Sequence, residues 1–215
     1  MVLLETERNS LLAPLAATVG VVEKRHTLPI LSNVLLHKQG DQLSLLATDL
    51  ELQVRTSLAG QATEDFAITV AARKLFDIVR ALPEGAKLKL DSKDSQLEVR
   101  AGKSKFTLQT LPAADFPRME TGAGVAGEVS LPQKTLKHLL QLVQFAMAQQ
   151  DIRYYLNGML LVLDGTTLRV VATDGHRLSL AETRLDQAGP QKEVITPPKT
   201  IVKLVKLPAD SDEPV

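Results

Sequence analysis

The sequence predicts an α+β fold of repeated domains, each with two helices packed on antiparallel sheets, the second domain truncated. Three observations carry this. The chain matches itself at an offset of 125 residues. Within each copy, helical 3.6-residue spacing gives way to two-residue alternation and back again. A glycine turn joins two apolar runs at the same place in both copies, at Gln39-Gly40-Asp41 and Asp164-Gly165-Thr166, a hairpin signal.

The self-match is long and ungapped. "LSNVLLHKQGDQLSLLATD" (31–49) lies on "LNGMLLVLDGTTLRVVATD" (156–174) with eight of 19 positions identical, ending in Ala47-Thr48-Asp49 and Ala172-Thr173-Asp174. Such self-similarity at a domain-sized period marks repeated units. The same offset lays "NSLLAPL" (9–15) on "KTLKHLL" (134–140), and "VAARKLFDIVRALP" (70–83) on "ITPPKTIVKLVKLP" (195–208) through Lys74/Lys199, Leu82/Leu207 and Pro83/Pro208.

The elements follow in order. A helix opens each unit, two strands follow around the glycine turn, then a third strand and a second helix. Pro197-Pro198 starts that helix in the second copy, and Pro83-Glu84-Gly85 ends it in the first. "AKLKLDSKDSQLEVRAGKSKFTLQTL" then alternates as strands, turning at Asp91–Ser95 and at Gly102. Its last strand reads as a sheet edge with Phe106 and Leu108 exposed. "QKTLKHLLQLVQFAMAQQ" (133–150) is one helix, and "EVSLP" before it a strand entering Pro132. "PAADFPRMETGAGVAG" (112–127), rich in Pro, Gly and Ala, is a linker between domains at 1–120 and 128–215. The second unit lacks the roughly 30 residues that follow Leu82-Pro83 in the first, which predicts a fragment of a longer chain.

Composition excludes whole classes. Cysteine is absent, so disulfides, thiolate catalysis and cysteine zinc sites are excluded. The first residues carry Glu5 and Glu7 where a secretory signal needs cations, and no apolar run nears the roughly 20 residues of a membrane span. A cytoplasmic protein is the reading. Net charge is zero, but its distribution is uneven. The helical stretches 133–150, 197–208 and 73–80 carry +2, +3 and +2, leaving −7 for the rest. Lys134, Lys137 and His138, then Lys199, Lys203 and Lys206, line single faces without an acid, a pattern suited to a phosphate backbone.

Two motifs tempt and fail. Gly122-x-Gly124-x-x-Gly127 matches a dinucleotide fingerprint, yet no strand leads in and no acid follows at the right distance. Asp174 and His176 could serve a hydrolase, but Thr48-Asp49 occupies the same place in the first copy without a histidine, which marks the aspartate as a turn residue. What the second copy alone holds is Gly175-His176-Arg177-Leu178 and Arg153-Tyr154-Tyr155-Leu156. Paired tyrosines beside an arginine and leucines suit recognition; a partly buried tyrosine pair in a core is the alternative. The four histidines form no metal-ligand spacing. No cofactor is expected.

"TLPILSN", "LLATDLE", "ARKLFDIVRALPEGA", "TLPAADFP", "FAMAQQDIRYYLNGML" and "VATDGHRLSL" together resemble the bacterial sliding-clamp family, the beta subunits of DNA polymerase III, from about residue 5 to residue 208. Family members have three similar domains and close as head-to-tail homodimers into a ring around DNA. The resemblance implies a non-catalytic processivity factor of DNA replication. Its partners would be double-stranded DNA, bound without sequence preference, and clamp-binding peptides of the polymerase and the clamp loader. It implies DNA contacts at Arg25, Arg73, Gln150, Tyr154, Tyr155 and Lys199. It implies a peptide site at Leu156, Thr173, Gly175, His176, Arg177 and Leu178. Lys74, Ile78, Lys103, Lys105, Phe106 and Leu108 would form the first domain's dimer face.

Overall fold

The computed structural model describes residues 2–22, 28–119, 129–206 and 211–215. The chain divides into two compact units, residues 1–120 and 121–215.

The first unit is an eight-stranded antiparallel sheet with two helices. In chain order it has β1 (Val2–Glu7), α1 (Arg8–Val19), β2 (Asn33–Gln39), β3 (Gln42–Thr48), β4 (Gln53–Ser57), β5 (Phe66–Ala71), α2 (Ala72–Ala81), β6 (Lys87–Lys93), β7 (Gln96–Ala101) and β8 (Ser104–Leu111). The strands lie in the order β1-β6-β7-β8-β5-β2-β3-β4. Leu11 and Leu15 of α1 and Leu75 and Val79 of α2 repeat at helical spacing, and all four are fully buried against Leu36, Leu45, Leu90 and Leu97 of the strands. Each such side chain contributes about 1.5–3 kcal/mol. Leu82 ends α2 in an extended conformation, as the residue before Pro83 should.

Two readings of this unit change. β1 was not foreseen: Leu4 and Thr6 face inward while Glu5 and Glu7 face out, and its acids hid a two-residue alternation. The exposure expected of Phe106 and Leu108 is also wrong. Leu108 is 7% exposed and belongs to the core, with Phe106 half-buried against it. The physical reason is the pleat: positions 106 and 108 share the inward face, and Lys105, Thr107 and Gln109 face solvent. The edge reading itself holds in part. β8 pairs with β5 only through Thr69–Leu111 and Val70–Thr110, so among the described residues 104–109 have no strand on that side.

Residues 112–119, the first part of the expected linker, fold back onto this unit. A 3-10 turn at Ala113–Asp115 delivers Phe116, 4% exposed, onto Leu35 and Leu46 on the sheet face away from the helices. The backbone N–H of Met119 donates to Gln53 Oε1 at 2.9 Å.

The second unit repeats the plan. It has α3 (Gln133–Val143), β9 (Met159–Asp164), β10 (Thr167–Thr173), β11 (Leu178–Arg184), β12 (Lys192–Thr196) and α4 (Pro198–Lys206), with strand order β11-β10-β9-β12. α3 buries Leu139, Leu140 and Val143, and α4 buries Ile201, over Met159, Leu168 and Val170. The expected helix 133–150 is shorter: α3 stops at Val143, one 3-10 turn carries Gln144–Ala146, and Met147 is extended. This tucks Ala146 and Met147 beneath the sheet and lets the Ala148 N–H donate to the Leu156 carbonyl. Residues 129–132 form no regular strand; Leu131 and Val215 exchange two backbone hydrogen bonds.

The two units register at 125 through β11 and then slip by one. Leu35 pairs with Thr69, whereas Leu160 pairs with Ile195, so Thr69 and Ile195 are equivalents 126 apart. The buried or half-buried positions of the second helices agree, with Leu75, Ile78 and Val79 lying at Ile201, Leu204 and Val205. The connection before β12 is one residue longer. Lys199 is therefore the counterpart of Arg73, not of Lys74.

Candidate docking site and cationic helix faces

The Thr-Asp pairs build the same turn twice. In the first unit Asp49 Oδ1 accepts from the backbone N–H of Glu51 (3.1 Å) and Leu52 (2.8 Å), and Thr48 Oγ1 accepts from Leu50 N–H (3.1 Å). In the second, Asp174 Oδ1 accepts from His176 and Arg177 (both 2.9 Å), and Thr173 Oγ1 from Gly175 N–H (3.1 Å). The residue after each aspartate has positive φ, 75° at Leu50 and 88° at Gly175. A side-chain carboxylate satisfying turn N–H groups is a local backbone device. Those N–H bonds, from Arg177 first and then His176, hold the Asp174 pKa below the usual carboxylate value. Its Oδ2 takes Arg177 Nε at 2.9 Å. Both carboxylate oxygens are thus engaged in holding the turn and the Arg177 side chain.

Around this scaffold the second unit adds exposed apolar and aromatic groups. Leu178 is 65% exposed and Leu180 53%, both on edge strand β11. Phe145, 58% exposed, lies under the Arg177 guanidinium at 5.5 Å. Gly175, His176 and Arg177 are exposed, and Thr173 is half-buried.

A second loop leans on the turn. A Cβ on Gly175 would lie 3.3 Å from Arg153 Nη2, so Arg153 covers the turn closely. Asp151 clamps Arg153 with two side-chain bonds, 3.1 Å and 2.9 Å, and accepts its backbone N–H at 2.8 Å. Chiefly through the Arg153 side chain, the Asp151 pKa falls to about 2. Asn157 closes the loop with two hydrogen bonds to Asp151 at 2.9 Å. The loop presents Ile152, 97% exposed, and Tyr154 and Tyr155, 83% and 49% exposed, edge to face at 5.8 Å. The tyrosines are thus surface groups, and Leu156 behind them is half-buried. Gln150 enters this loop exposed, with φ of 59°.

The cationic faces are on the helices. Arg73 and Lys199 are exposed at equivalent positions near the starts of α2 and α4. Arg73 also donates to the Val22 carbonyl at 3.0 Å. Lys74 is exposed beside it, and Ile78 half-buried. On α3, Lys134 pairs with Asp212 at 2.6 Å. Lys203 is half-buried, and burial ahead of repulsion by Lys206 lowers its pKa. Lys103 and Lys105 are exposed at the start of β8, and Lys105 reaches Glu98 Oε1 at 2.8 Å.

Family models place this architecture. Residues 2–120 match the DNA polymerase III beta subunit, N-terminal domain, and residues 130–215 its central domain. The chain belongs to the DNA polymerase III beta subunit family. The beta sliding clamp of Pseudomonas aeruginosa is 49% identical over 210 residues, covering 96% of this chain and 56% of that protein. That of Escherichia coli K12 is 46% identical over 210 residues, 97% of this chain and 57% of that one. Among solved structures, a Pseudomonas aeruginosa DnaN sliding clamp bound to griselimycin superposes with a TM-score of 0.93 at 46% identity, covering all of this chain and 58% of that one. Caulobacter crescentus pol III beta gives 0.87 at 40% identity, over 95% and 56%. The chain thus spans a little over half the length of these relatives.

Within this beta-subunit scaffold, sequence reasoning missed Asp151, Asn157 and Phe145, which position the exposed groups. The Asp151-Ile152-Arg153 spacing is the one signal that could have found the clamp on Arg153. Arg25, and the glycines of 122–127, lie outside the described residues. No group of three potential metal ligands occurs among the described residues, and no described helix is long and apolar enough to cross a membrane.

Proposed function

We propose that this chain is the first two domains' worth of a sliding clamp, a non-catalytic processivity factor that encircles duplex DNA and docks clamp-binding peptides of the replicative polymerase and clamp loader. Residues 1–120 would be the first clamp domain and 128–215 the second, the full-length protein forming a homodimeric ring in the cytoplasm. The observation that carries the reading is the twin turn. One scaffold occurs in both units; among the described residues the first presents Leu50 at the turn, whereas the second surrounds it with exposed leucines, two tyrosines, an arginine and a phenylalanine. Leu156 and Leu178 would supply apolar walls for a peptide, Thr173 and Gly175 the floor of the turn, and Arg177 and His176 a polar rim. A few anchors in such a surface carry most binding energy.

DNA contact falls to Arg73 and Lys199 on the helices, with Arg25, Gln150, Tyr154 and Tyr155 alongside. Pairing of copies falls to the open edge of β8 with Lys74, Ile78, Lys103, Lys105 and Phe106. Cations on helix faces meet phosphates without reading bases. Duplex binding measured by fluorescence anisotropy is therefore expected to be micromolar or weaker at physiological salt, to fall steeply as salt rises, and to ignore sequence. Arg73→Glu and Lys199→Glu should each weaken it at low salt. Tight, salt-insensitive binding to one duplex sequence overturns this reading.

A further inference from the structure

One dipeptide of the second unit is both required by the fold and chemically unstable. The chain's three asparagines stand before different residues: Asn9 before Ser10, Asn33 before Val34 and Asn157 before Gly158. Asparagine is a thermolabile residue, most so before glycine, which has no Cβ to shield its backbone nitrogen. Asn33 is buried in β2 with its Nδ2 donating to Thr69 Oγ1 at 3.0 Å, and the branched Val34 screens the next nitrogen. Asn9 lies in the first turn of α1, where its Oδ1 accepts from Arg8 Nη1 at 2.9 Å.

Packing fixes both residues of Asn157-Gly158. A Cβ at position 158 would lie 2.8 Å from the Thr196 carbonyl oxygen and 2.8 Å from Ile195 Cγ2, so β12 leaves room for glycine alone. Position 157 needs a side chain that donates and accepts at once, which a carboxamide does in one plane. Asn157 Nδ2 donates to the Asp151 carbonyl, and its Oδ1 accepts the Asp151 N–H, both at 2.9 Å. This latch closes the loop that presents Ile152, Tyr154 and Tyr155 to solvent and lays Arg153 against Gly175.

The latch also controls the chemistry. Deamidation begins when the Gly158 backbone nitrogen, giving up its proton to hydroxide, attacks Asn157 Cγ. The bond from Cγ to Nδ2 breaks, ammonia leaves and a cyclic imide remains. Water then opens the ring: attack at Cγ gives aspartate, and attack at the main-chain carbonyl gives isoaspartate, in which the backbone runs through the β-carbon. With Nδ2 and Oδ1 both held by Asp151, Cγ is kept from swinging towards the nitrogen of its own chain. The reaction therefore proceeds from the opened loop, at the free-peptide rate scaled by the open fraction. Afterwards the latch does not re-form. An aspartate at 157 keeps the acceptor but sets a carboxylate oxygen against the Asp151 carbonyl oxygen, two acceptors with no proton between them. Isoaspartate also lengthens the backbone at the loop's closing residue.

We propose that Asn157 is a spontaneous, one-way modification site: the latch on Asp151 gates its deamidation, and conversion releases the loop that presents the tyrosines. Water and hydroxide are the only reagents. The proposal concerns the covalent state of this chain and holds whatever docks on that surface.

The test ages the 215-residue chain at neutral and mildly alkaline pH beside a synthetic peptide of the sequence Arg153–Val162. Both are followed by intact mass, peptide mapping and isoaspartate-specific methyl transfer. Conversion to aspartate and isoaspartate is expected at Asn157, faster at alkaline pH and about tenfold to a hundredfold slower in the chain than in the peptide. Asn33 should remain intact. Asp151→Ala, which frees Arg153 and loosens the loop without touching Gly158, should speed conversion several-fold. Tyrosine fluorescence anisotropy reports Tyr154 and Tyr155 alone. It should fall in step with conversion, and Asn157→Asp should lower it from the start. Four results overturn the proposal: conversion in the chain as fast as in the peptide, no conversion in the chain long after the peptide has fully converted, an Asp151→Ala chain that converts no faster, or a converted chain whose tyrosine anisotropy is unchanged.

Discussion

At residue scale, Leu50 and Gly175 perform one conformational task with different chemistry. Both follow a Thr-Asp pair at positive φ, where a side chain costs about 1–2 kcal/mol. Leu50 is 52% exposed, so Leu50→Gly gives up little burial, and added chain entropy returns only about 0.5–1 kcal/mol. A net gain of roughly 0.5 kcal/mol in unfolding free energy is expected for the first unit, read as a higher urea midpoint, and Gly175→Leu should destabilise the second by a similar amount. Asp151 makes a different prediction. Its folded pKa is depressed to about 2 from 3.8, so its contribution is complete above about pH 4 and is lost as pH falls through about 2. The chain has two tyrosines and no tryptophan, so tyrosine fluorescence reports this loop directly. The signal should hold from pH 7 to about 4 and change below, and Asp151→Asn should remove that acid step. Asp174 was legible as structural because the chain holds its own control at Asp49. Asp151 was not, because its role depends on Arg153 folding back over Gly175.

At the scale of elements, alternation identified β8 but not the face it buries. Phe106 and Leu108 share a side, and whether that side is core or solvent depends on the helices above, which alternation does not encode. The structure puts Leu108 in the core. Leu108→Ala should therefore cost about 2–4 kcal/mol, read as a drop in denaturant midpoint, whereas Lys105→Ala should change it far less. Equal, small effects would return Leu108 to the surface. The slip before β12 was illegible for a related reason. Three identities supported an offset of 125 there, and one added loop residue moves strand and helix together without disturbing their apolar spacing. Only cross-strand pairing fixes the register, and it sets Lys199 against Arg73.

At the scale of the whole molecule, the repeat made most of the plan readable before any coordinate. α1, β2 to β5 and α2 recur as α3, β9 to β12 and α4 because each unit buries the same stripe of leucines. What the repeat could not convey is where the copies diverge in surface, since exposure follows from what covers a strand, as Phe116 does in one unit. The central claim is that the second unit is a docking surface built on a shared scaffold. It is tested most directly by titrating a synthetic clamp-binding peptide of a DNA polymerase into the labelled chain and following both units at once. Weak, saturable binding is expected, near millimolar or about −4 kcal/mol, with shifts at Phe145, Leu156 and 174–178, silence at 49–53, and loss of the effect in Arg177→Ala. Equal shifts at both turns, or none at 174–178 through several millimolar peptide, would contradict it.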